Sequence, residues 1–379
     1  MNNIYTLKEL LTIKNGRDHK HLADGNIPVF GSGGIMRYVD TYLYDKQSIL
    51  LPRKGTLNNI QYVNTPFWTV DTAYYTVINE KLVDAYYLYS YLTLLDLGNL
   101  NSGTGVPSMT FDSYYNIKVS LPDLKKQRRI ASILSTLDKR IENLRAQNRV
   151  LEQTAKTIYD YTFLQCAGRQ TAYNKTLNRN IPTNWEVKRL GDLVSVSKES
   201  LNPQNYPEKQ FKHFSIPSFD DNGSYSLEYG KDIFSNKFIV NNNHVLISKL
   251  NPWKNRAVWC DENDDAIGST EFVTLLPRKL ENKAFVFSIV KSDSFIEYCS
   301  DAATGTSHSH RRVSPDIMMK FPIAYDEKTV IKFNAQVTPL FKKQLVNTKQ
   351  IEALTTQRNT LLPLLMTGQI EVLETKKAL

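Results

Sequence analysis

Apolar residues recur at alternating intervals of three and four positions in two long stretches of the chain. The first stretch runs from about Asp123 to Phe163 and carries its seam at Ile130, Leu134, Leu137, Ile141, Leu144, Leu151 and Ile158. The second runs from about Glu327 to Met366 and keeps this spacing from Val330 to Leu365. Because such spacing is typical of a coiled-coil seam, each stretch predicts a long helix that needs an apolar partner.

Polar residues and prolines interrupt both seams. Asn148 occupies a core position of the first seam, where a buried asparagine lowers stability but fixes register and partner. The alternative is a tolerated, half-exposed residue at this position. In the second stretch, Pro339 and Pro363 are expected to kink the helix or end it, and Gly368 is a candidate for its C-terminal cap.

The segments before each long helix have a different pattern, with short runs of β-branched and aromatic residues. These runs predict strands at 48–55, 73–79, 244–250 and 271–277. Longer apolar runs at 84–96 and 283–299 predict helices. Each segment is therefore expected to fold as an α+β domain.

The second half of the chain repeats short sequence features of the first half. The pairs Thr104-Gly105 and Thr304-Gly305 are 304 − 104 = 200 positions apart, and Leu121-Pro122 matches Phe321-Pro322 at the same distance. Repetition on this scale indicates two copies of one large unit, a domain followed by a helix. Repeats that join through like surfaces tend to meet about a two-fold axis, which predicts that the two helices pair antiparallel.

The expected fold is α+β, with two pseudo-symmetric domains separated by two long helices that form an antiparallel coiled coil. The polar segment before Trp185 has neither a helical nor a strand period and is interpreted as a linker. The predicted boundaries are a first domain at 1–121, a central helix at 122–166, the linker at 167–184, a second domain at 185–322, and a C-terminal helix and tail at 323–379.

Charge and cysteine content narrow the partners and the compartment. A net charge of +9 and a pI of about 9.1 favour a polyanionic partner, with nucleic acid first and an acidic protein surface second. The three cysteines are too far apart for a disulfide framework or a metal site, so a reducing, cytoplasmic compartment is expected. No run reaches the ~18 apolar residues of a membrane span, so no membrane partner is expected.

Catalytic motifs are fragmentary. "VFGSGG" at 29–34 and "NPW" at 251–253 each resemble a piece of an S-adenosylmethionine methyltransferase. A glycine loop for a cofactor should open a helix, whereas a strand-like segment follows this one. The Thr-Gly pairs lack the Gly-Lys-Ser/Thr of a nucleotide-binding loop. No catalytic, cofactor-binding or metal-binding residue is therefore assigned to the chain.

Longer segments carry a family resemblance over essentially the whole chain. The duplicated plan, together with residues 121–163, 181–193 and 351–370, resembles the specificity (S) subunit of type I restriction-modification systems. The resemblance implies two target-recognition domains, each reading half of a split site in double-stranded DNA. It also implies that the helices act as a spacer and dock two methyltransferase (M) subunits, through which restriction (R) subunits join. S-adenosylmethionine would then bind to the M subunits, and ATP and magnesium to the R subunits, with no cofactor on this chain.

Candidate DNA-binding residues follow from the chemistry of recognition, since bases are read by bidentate donors and amides and phosphates attract cations. In the first domain they are Arg37, Arg53, Lys54 and Asn58. In the second they are Lys249, Asn251, Lys254, Arg256, His308, His310, Arg311 and Arg312. The alternative for each charged residue is an ordinary solvated side chain.

Two further sets of residues have open roles at this point. Trp68 is expected to pack in a core, while Trp253 either packs or stacks. Each Thr-Gly loop either lies near DNA or fixes the joint between domain and helix. Two other functions remain as alternatives, a stand-alone S-adenosylmethionine-dependent DNA methyltransferase and a protein scaffold that does not bind DNA.

Overall fold

The computed structural model describes residues 3–100, 107–166, 168–305 and 310–372. The chain divides into two compact units. Unit 1 consists of residues 1–143 and 350–379, and unit 2 of residues 144–349. Each unit therefore contains part of both long helices.

Unit 1 contains the short elements of an α+β domain and the first part of a long helix that continues into unit 2. They are, in chain order, β1 (Asn3–Thr6), α1 (Leu7–Leu10), β2 (Leu11–Asn15), β3 (Asp24–Gly31), β4 (Gly34–Val39), β5 (Ser48–Pro52), β6 (Gln61–Val63), β7 (Trp68–Thr69), β8 (Ala73–Ile78), α2 (Ala85–Leu92), α3 (Phe111–Tyr115), β9 (Lys118–Leu121) and α4 (Leu124–Tyr159).

The strands of unit 1 form a four-stranded sheet in the order β2-β8-β5-β6, a three-stranded sheet in the order β4-β3-β7, and the pair β1-β9. Strand β5, with the sequence SILLP, is buried along its whole length. Its Ile49 and Leu51 share one hydrophobic cluster with Leu134 of α4 and with Leu365. The core of unit 1 thus includes residues from both long helices.

Unit 2 repeats this plan with additions. Its elements are β10 (Thr171–Asn174), β11 (Arg179–Pro182), β12 (Glu186–Arg189), α5 (Leu190–Leu193), β13 (Val194–Ser197), β14 (Ser200–Leu201), β15 (Gln210–Phe214), α6 (Ile216–Asn222), β16 (Ser226–Tyr229), β17 (Lys237–Ile239), β18 (Val245–Ser248), β19 (Ala257–Trp259), β20 (Ala266–Gly268), β21 (Phe272–Pro277), α7 (Lys283–Lys291), α8 (Asp293–Asp301), α9 (Pro315–Met319), β22 (Pro322–Tyr325) and α10 (Glu327–Thr367).

The four-stranded sheet and the first strand pair of unit 1 recur in unit 2, and its three-stranded sheet recurs with two further strands. The four-stranded sheet β13-β21-β18-β19 corresponds to β2-β8-β5-β6, and the pair β12-β22 corresponds to β1-β9. The second sheet has five strands, β14-β17-β20-β15-β16, and its parallel pair β15-β20 corresponds to β3-β7. The predicted pseudo-symmetric α+β domains are confirmed, as are the four predicted strands β5, β8, β18 and β21.

A one-turn helix opens both domains. In α1, Leu7 and Leu10 are buried, and in α5 the equivalent leucines are Leu190 and Leu193. The Glu9 carboxylate accepts a hydrogen bond from the Thr6 backbone N–H at 2.7 Å. Such a capping contact satisfies an amide that the first helical turn leaves without a partner, so the turn is stable despite its length.

The two long helices run antiparallel in each unit. In unit 1 the Arg358 guanidinium of α10 lies 3.0 Å from the Asp138 carboxylate of α4, and Leu365 packs with Leu134. In unit 2 Gln344 donates to the Asn148 carbonyl oxygen at 2.9 Å, and the rings of Tyr159 and Phe333 are 6.0 Å apart. As residue numbers rise along α4, their partners on α10 fall, which confirms the predicted antiparallel pairing.

Proline does not end the second helix, because α10 continues from Glu327 to Thr367 through both Pro339 and Pro363. The helix ends at Gly368, whose φ of +74° is the left-handed conformation typical of a glycine cap. Helix α4 ends differently, in a π-helical turn at Asp160–Leu164. The predicted cap is confirmed, and neither proline ends the helix.

A cluster of amides lies between α4 and α10, and we call Asn148, Gln344, Asn347 and Thr348 the polar layer. Asn347 is fully buried and donates to the Asn148 Oδ1 at 2.9 Å. Asn148 Nδ2 in turn donates to the Gln344 carbonyl oxygen and to the Thr348 hydroxyl at 3.4 and 3.3 Å. Asn148 therefore has a role in pairing the helices and is not merely tolerated.

The spacing of 200 residues between the Thr-Gly pairs does not continue into the following elements, which corrects one prediction. Lys118 of β9 faces Thr6, and Pro322 of β22 faces the equivalent Arg189, a spacing of 322 − 118 = 204. The match of Leu121-Pro122 with Phe321-Pro322 was therefore wrong. The reason is that the second copy has a four-residue longer loop, with 322 − 305 = 17 positions from its Thr-Gly glycine to the strand against 118 − 105 = 13 in the first.

The helix predicted at 283–299 is two helices in the structure, α7 and α8. Ser292 separates them in an extended conformation, with φ −71° and ψ 145°, and its side chain accepts a hydrogen bond from the Phe295 N–H. A serine in this position caps the start of the next helix. The continuous apolar pattern concealed this break.

Candidate nucleic-acid interface

Two loops lie side by side in unit 2. One follows β18 and spans residues 249–256; the other follows α8 and includes residues 303–305 and 310–313. The Asn251 N–H donates to the Arg311 carbonyl oxygen at 2.7 Å, and the Val313 N–H donates to the Lys249 carbonyl oxygen at 3.0 Å. We call these residues the second paired-loop site, and it contains most of the residues predicted for DNA binding in this domain.

The first of these loops has a tight turn at its tip. Asn251 and Asn255 have positive φ angles of 50° and 44°, and a 3-10 turn, Pro252–Lys254, lies between them. Asparagine adopts this left-handed conformation more readily than most residues. As a result Trp253 and Lys254 are exposed at the tip while Pro252 is buried.

The other loop carries two adjacent arginines. Arg311 is half-buried and donates to the Ala303 carbonyl oxygen. Arg312 is bound by both carboxylate oxygens of Glu271, with contacts of 3.0 and 3.1 Å, and these hydrogen bonds raise the pKa of Arg312. His310, next to them, is exposed. Glu271 thus orients Arg312, and the carbonyl group of Ala303 orients Arg311.

Two residues predicted for DNA contact have structural surroundings instead. Arg256 is 4 % exposed, and its guanidinium binds both carboxylate oxygens of Asp220 at 2.6 and 2.7 Å. These contacts hold the pKa of the Asp220 carboxyl below its usual value. Asn251 is also buried, and its Oδ1 accepts a hydrogen bond from the Arg311 N–H at 3.0 Å. Both side chains thus support the loop from inside the domain, and the DNA contact predicted for them stays a prediction.

Unit 1 has an equivalent arrangement. The Gly55 N–H donates to the Pro107 carbonyl oxygen, and the Met109 N–H donates to the Arg53 carbonyl oxygen, both at 3.0 Å. Gly55 has a positive φ of 90°, as Asn251 does in the second copy. Arg53 and Lys249 are equivalent at 249 − 53 = 196 positions, and Gly55 and Asn251 at the same spacing. We call residues 53–59 and 107–109 the first paired-loop site.

The predicted residues of the first site differ in exposure. Lys54 is exposed, whereas Arg53 is half-buried, with its guanidinium 5.9 Å from the centre of the Tyr74 ring. Burial raises the pKa of the Tyr74 phenol, and the charge of Arg53 opposes this change. Asn58 is exposed and contacts the following turn, where it accepts a hydrogen bond from the Gly98 N–H at 3.1 Å. Both loops of this site are therefore held by polar contacts.

Arg37 lies apart from the other candidates, on the edge strand β4 of the three-stranded sheet. Its guanidinium pairs with the Asp24 carboxylate at 2.7 Å and donates to the Leu22 carbonyl oxygen at 3.1 Å. His308 and the first Thr-Gly pair, Thr104-Gly105, lie outside the described residues. The roles predicted for them stay predictions.

Comparison with known proteins agrees with this architecture. Residues 2–153 match the family described as the type I restriction modification DNA specificity domain. The specificity subunit of type I restriction enzyme MjaIX from Methanocaldococcus jannaschii is 27 % identical over 354 residues, or 88 % of this chain and 79 % of that protein. The MjaVIII specificity subunit from the same organism is 24 % identical, over 77 % of this chain and 72 % of that protein. Over most of its length the chain is therefore similar to specificity subunits of type I restriction enzymes.

A solved structure has the same fold over nearly the full length. The S subunit of a type I restriction-modification system from M. genitalium superimposes with a TM-score of 0.67 and covers 96 % of both chains at 15 % identity. This likeness at low identity concerns the fold alone. The fold of this chain is thus shared with that protein although few residues are identical.

The glycine-rich stretch of the chain lies at the turn between two strands. Gly31 ends β3 and Gly34 begins β4, so "VFGSGG" is the turn of a β-hairpin and a strand follows it. The "NPW" segment is part of a 3-10 turn in the other unit. The two pieces of the methyltransferase resemblance therefore belong to different local structures in different units.

The supporting carboxylates were missed by the sequence analysis. Asp220 and Glu271 hold Arg256 and Arg312 from 36 and 41 positions away. No local pattern marks such pairs, because the partners meet only when the sheet has formed. The equivalence of Arg53 and Lys249 was detectable, since each directly follows a buried strand and precedes, by two positions, a residue that tolerates a positive φ.

Among the described residues of the chain, none of the helices combines the length and the apolar character that a membrane span needs. Within the same residues, no group of three or more histidine, cysteine or acidic side chains is arranged to hold a metal ion.

Proposed function

We propose that each domain of this chain reads one half of a split DNA site through its paired-loop site. The target-recognition domains would be residues 1–121 and 185–322, the latter preceded by the linker 167–184, and the helical segments 122–166 and 323–379 would act as the spacer. The observation that carries this proposal is the same two-loop geometry in both units, with Arg53 and Lys249 at equivalent positions.

The charges of these loops suit a duplex with phosphates on both sides of a groove. Lys54 and Lys254 are exposed, and Arg312 keeps nearly half of its side chain exposed beside Glu271. Cations of this kind neutralise phosphates and position a protein on DNA, whereas base edges in the groove carry the sequence information. Arg37, Asn58, His308 and His310 remain candidates for such contacts.

We further propose that the chain is non-catalytic and selects the site for partner subunits. Two methyltransferase subunits would dock on the paired helices and bring S-adenosylmethionine. Restriction subunits would join through them and use ATP and magnesium. The names of the relatives support this division of labour, because each is called a specificity subunit of a restriction enzyme.

Exchange of one domain tests the proposal. Residues 1–121 are replaced by the corresponding domain of another specificity subunit, and methylated adenines are mapped across the genome of cells that also carry the methyltransferase subunit. We expect one half of the recognised site to change and the other to stay the same. If both halves changed together, the domains would not be independent readers.

An assay of the isolated chain tests the non-catalytic role. Purified chain is incubated with duplex DNA and radiolabelled S-adenosylmethionine, with and without its methyltransferase partner. We expect label in DNA only when the partner is present. Methyl transfer by the chain alone would instead support the stand-alone methyltransferase.

A further inference from the structure

Trp253 differs from the other tryptophans of the chain. Trp68, Trp185 and Trp259 are 6, 8 and 9 % exposed, whereas Trp253 is 43 % exposed. Trp68 packs as expected and donates to the Arg17 carbonyl oxygen at 2.9 Å. Tryptophan has the largest apolar surface of all side chains, and a partly exposed indole is common where a protein binds a partner.

The turn that carries Trp253 is held at both ends. Asn251 exchanges two hydrogen bonds with the Arg311 backbone. Asn255 donates from its side chain to the Lys291 carbonyl oxygen at 3.5 Å. Pro252, directly before the tryptophan, has a fixed φ and is buried. A side chain on such a turn loses little backbone freedom when it binds, which favours recognition.

The charges around Trp253 indicate what it contacts. Lys254 is adjacent and exposed, and Arg311 lies across the loop pair. An exposed apolar ring on the same pair of loops as these cations matches the chemistry of nucleic acid, in which aromatic bases alternate with phosphates.

The first paired-loop site has no counterpart of this side chain. At the spacing of 196 positions that relates Arg53 to Lys249, the equivalent of Trp253 is Leu57, since 253 − 196 = 57. Leu57 is 4 % exposed and packs in the core of unit 1. At this equivalent position, the side chain is therefore an exposed aromatic in the second paired-loop site and a buried leucine in the first.

We propose that Trp253 is a specificity-determining residue of the second domain. Its indole packs against bases of the half-site that unit 2 reads, and Lys254 binds an adjacent phosphate. This inference rests on the proposed function and deepens it, because it assigns base contact to one side chain and predicts that only one half-site depends on it.

The test uses the chain in complex with its methyltransferase subunit. The wild-type site is first mapped by genomic methylation, and binding is then measured on a duplex that carries it, at several salt concentrations. We expect Trp253→Ala to weaken binding about tenfold and to relax selectivity at one or two positions of a single half-site. The salt dependence should not change, whereas Lys254→Ala should lower the salt slope by about one.

Three further variants make the result decisive. Trp253→Phe keeps an aromatic ring and should retain most of the selectivity. Tyr173→Ala removes another exposed aromatic of unit 2, and it should leave binding unchanged. Because Trp253 is 43 % exposed, we expect Trp253→Phe to melt close to the wild-type temperature, and melting curves show whether Trp253→Ala is folded at the temperature of the assay.

Two outcomes would overturn the inference, and they differ from a failure of the proposed function. If Trp253→Ala bound with wild-type affinity and selectivity while Lys254→Ala and Arg311→Ala weakened binding, the proposed function would stand without the tryptophan. Equal relaxation of both half-sites by Trp253→Ala would also contradict its assignment to unit 2. If none of these variants changed DNA binding, the second paired-loop site itself would not be the reader.

Discussion

Lys254 and Arg256 are two positions apart, yet the fold gives them opposite surroundings. Lys254 is exposed at the tip of a turn, and Arg256 is buried with its guanidinium bound to Asp220. Both were predicted to bind DNA because both are cations in a polar loop. A carboxylate that is distant in sequence determines which of the two cations is buried. The sequence therefore identified the loop but not which of its cations is exposed.

The Asp220 carboxylate should therefore matter for stability. Asp220→Ala leaves a buried guanidinium without its charged partner, and hydrogen bonds to charged groups are worth about 1.5–3 kcal/mol each. We expect the free energy of unfolding, measured by urea denaturation, to fall by about that amount. The exposed neighbour Asp221 provides the control, and its alanine variant should be within about 0.5 kcal/mol of wild type. Equal stability of the two variants would contradict the structural role of Arg256.

A buried lysine gives unit 2 a pH dependence. Lys283 is 7 % exposed, its Nζ donates to the carbonyl oxygens of Asn242 and Cys260, and it lies 4.4 Å from the centre of the Trp259 ring. Burial lowers the pKa of Lys283 to about 8. The folded state therefore releases this proton at a lower pH than the unfolded chain, in which lysine has a pKa of about 10.4.

The sign of the effect follows from the protons bound in each state. Between pH 8 and about 10 the unfolded chain keeps the Lys283 proton and the folded chain does not, so stability rises with pH. The rise is at most about 1.4 kcal/mol per pH unit. We expect the stability of wild type relative to Lys283→Met to increase over this window and to be constant below pH 7. The comparison cancels the other titrating groups, and a difference that is flat from pH 6 to 10 would show that Lys283 keeps an ordinary pKa.

Among the elements, the polar layer between α4 and α10 makes one pairing of the helices preferable. Asn347 is fully buried, and its Oδ1 has no hydrogen-bond partner in the described part of the chain, whereas its Nδ2 binds Asn148. Polar side chains in such a seam lower stability but exclude registers in which they would face apolar residues. The polar layer thus favours a single register of α4 against α10, although it makes the helix pair less stable than an apolar seam would.

Leucine substitutions separate these two effects. Asn347→Leu alone should destabilise the chain by about 1–3 kcal/mol, because it leaves Asn148 without its donor. Adding Asn148→Leu should recover part of that loss, with a coupling energy of about 0.5–3 kcal/mol in a double-mutant cycle. The double variant should also form additional oligomers, detectable by analytical ultracentrifugation. Asn143→Leu, at an exposed position of α4, is the control, and purely additive changes would contradict the coupling.

Helices and strands with a regular sequence pattern were predicted, whereas features set by packing were not. The seams of α4 and α10 and the buried strands β5 and β18 were identified because periodicity and branched residues mark them directly. The continuation of α10 through Pro339 could not be predicted, because its cause is packing against another part of the chain. The break at Ser292 was hidden by apolar residues that are buried on both sides of it.

For the whole molecule, the paired helices should determine the gap in the DNA site. Inserting one heptad into α4 after Leu144 and a matching heptad into α10 after Ile351 preserves the apolar seam and lengthens the pair by ~10 Å, at ~1.5 Å per residue. We expect the half-sites to stay the same and the gap between them to grow by about three base pairs at ~3.4 Å each. Methylation mapping measures both quantities, and a heptad in α4 alone serves as the mismatched control. An active complex with an unchanged gap would show that the length of the helices does not determine the gap.

The division of the chain into units has a consequence for its synthesis. Unit 1 consists of residues 1–143 together with 350–379, and Leu365 and Met366 are buried in its core. The ribosome makes these two parts about 200 residues apart, which at about 5–20 residues per second means a delay of roughly 10–40 s. During that time the first domain exists as a nascent chain with an unfilled apolar site, while all of unit 2 is translated. The domain made first is thus the one completed last, and its exposed surface in the meantime is a natural substrate for chaperones.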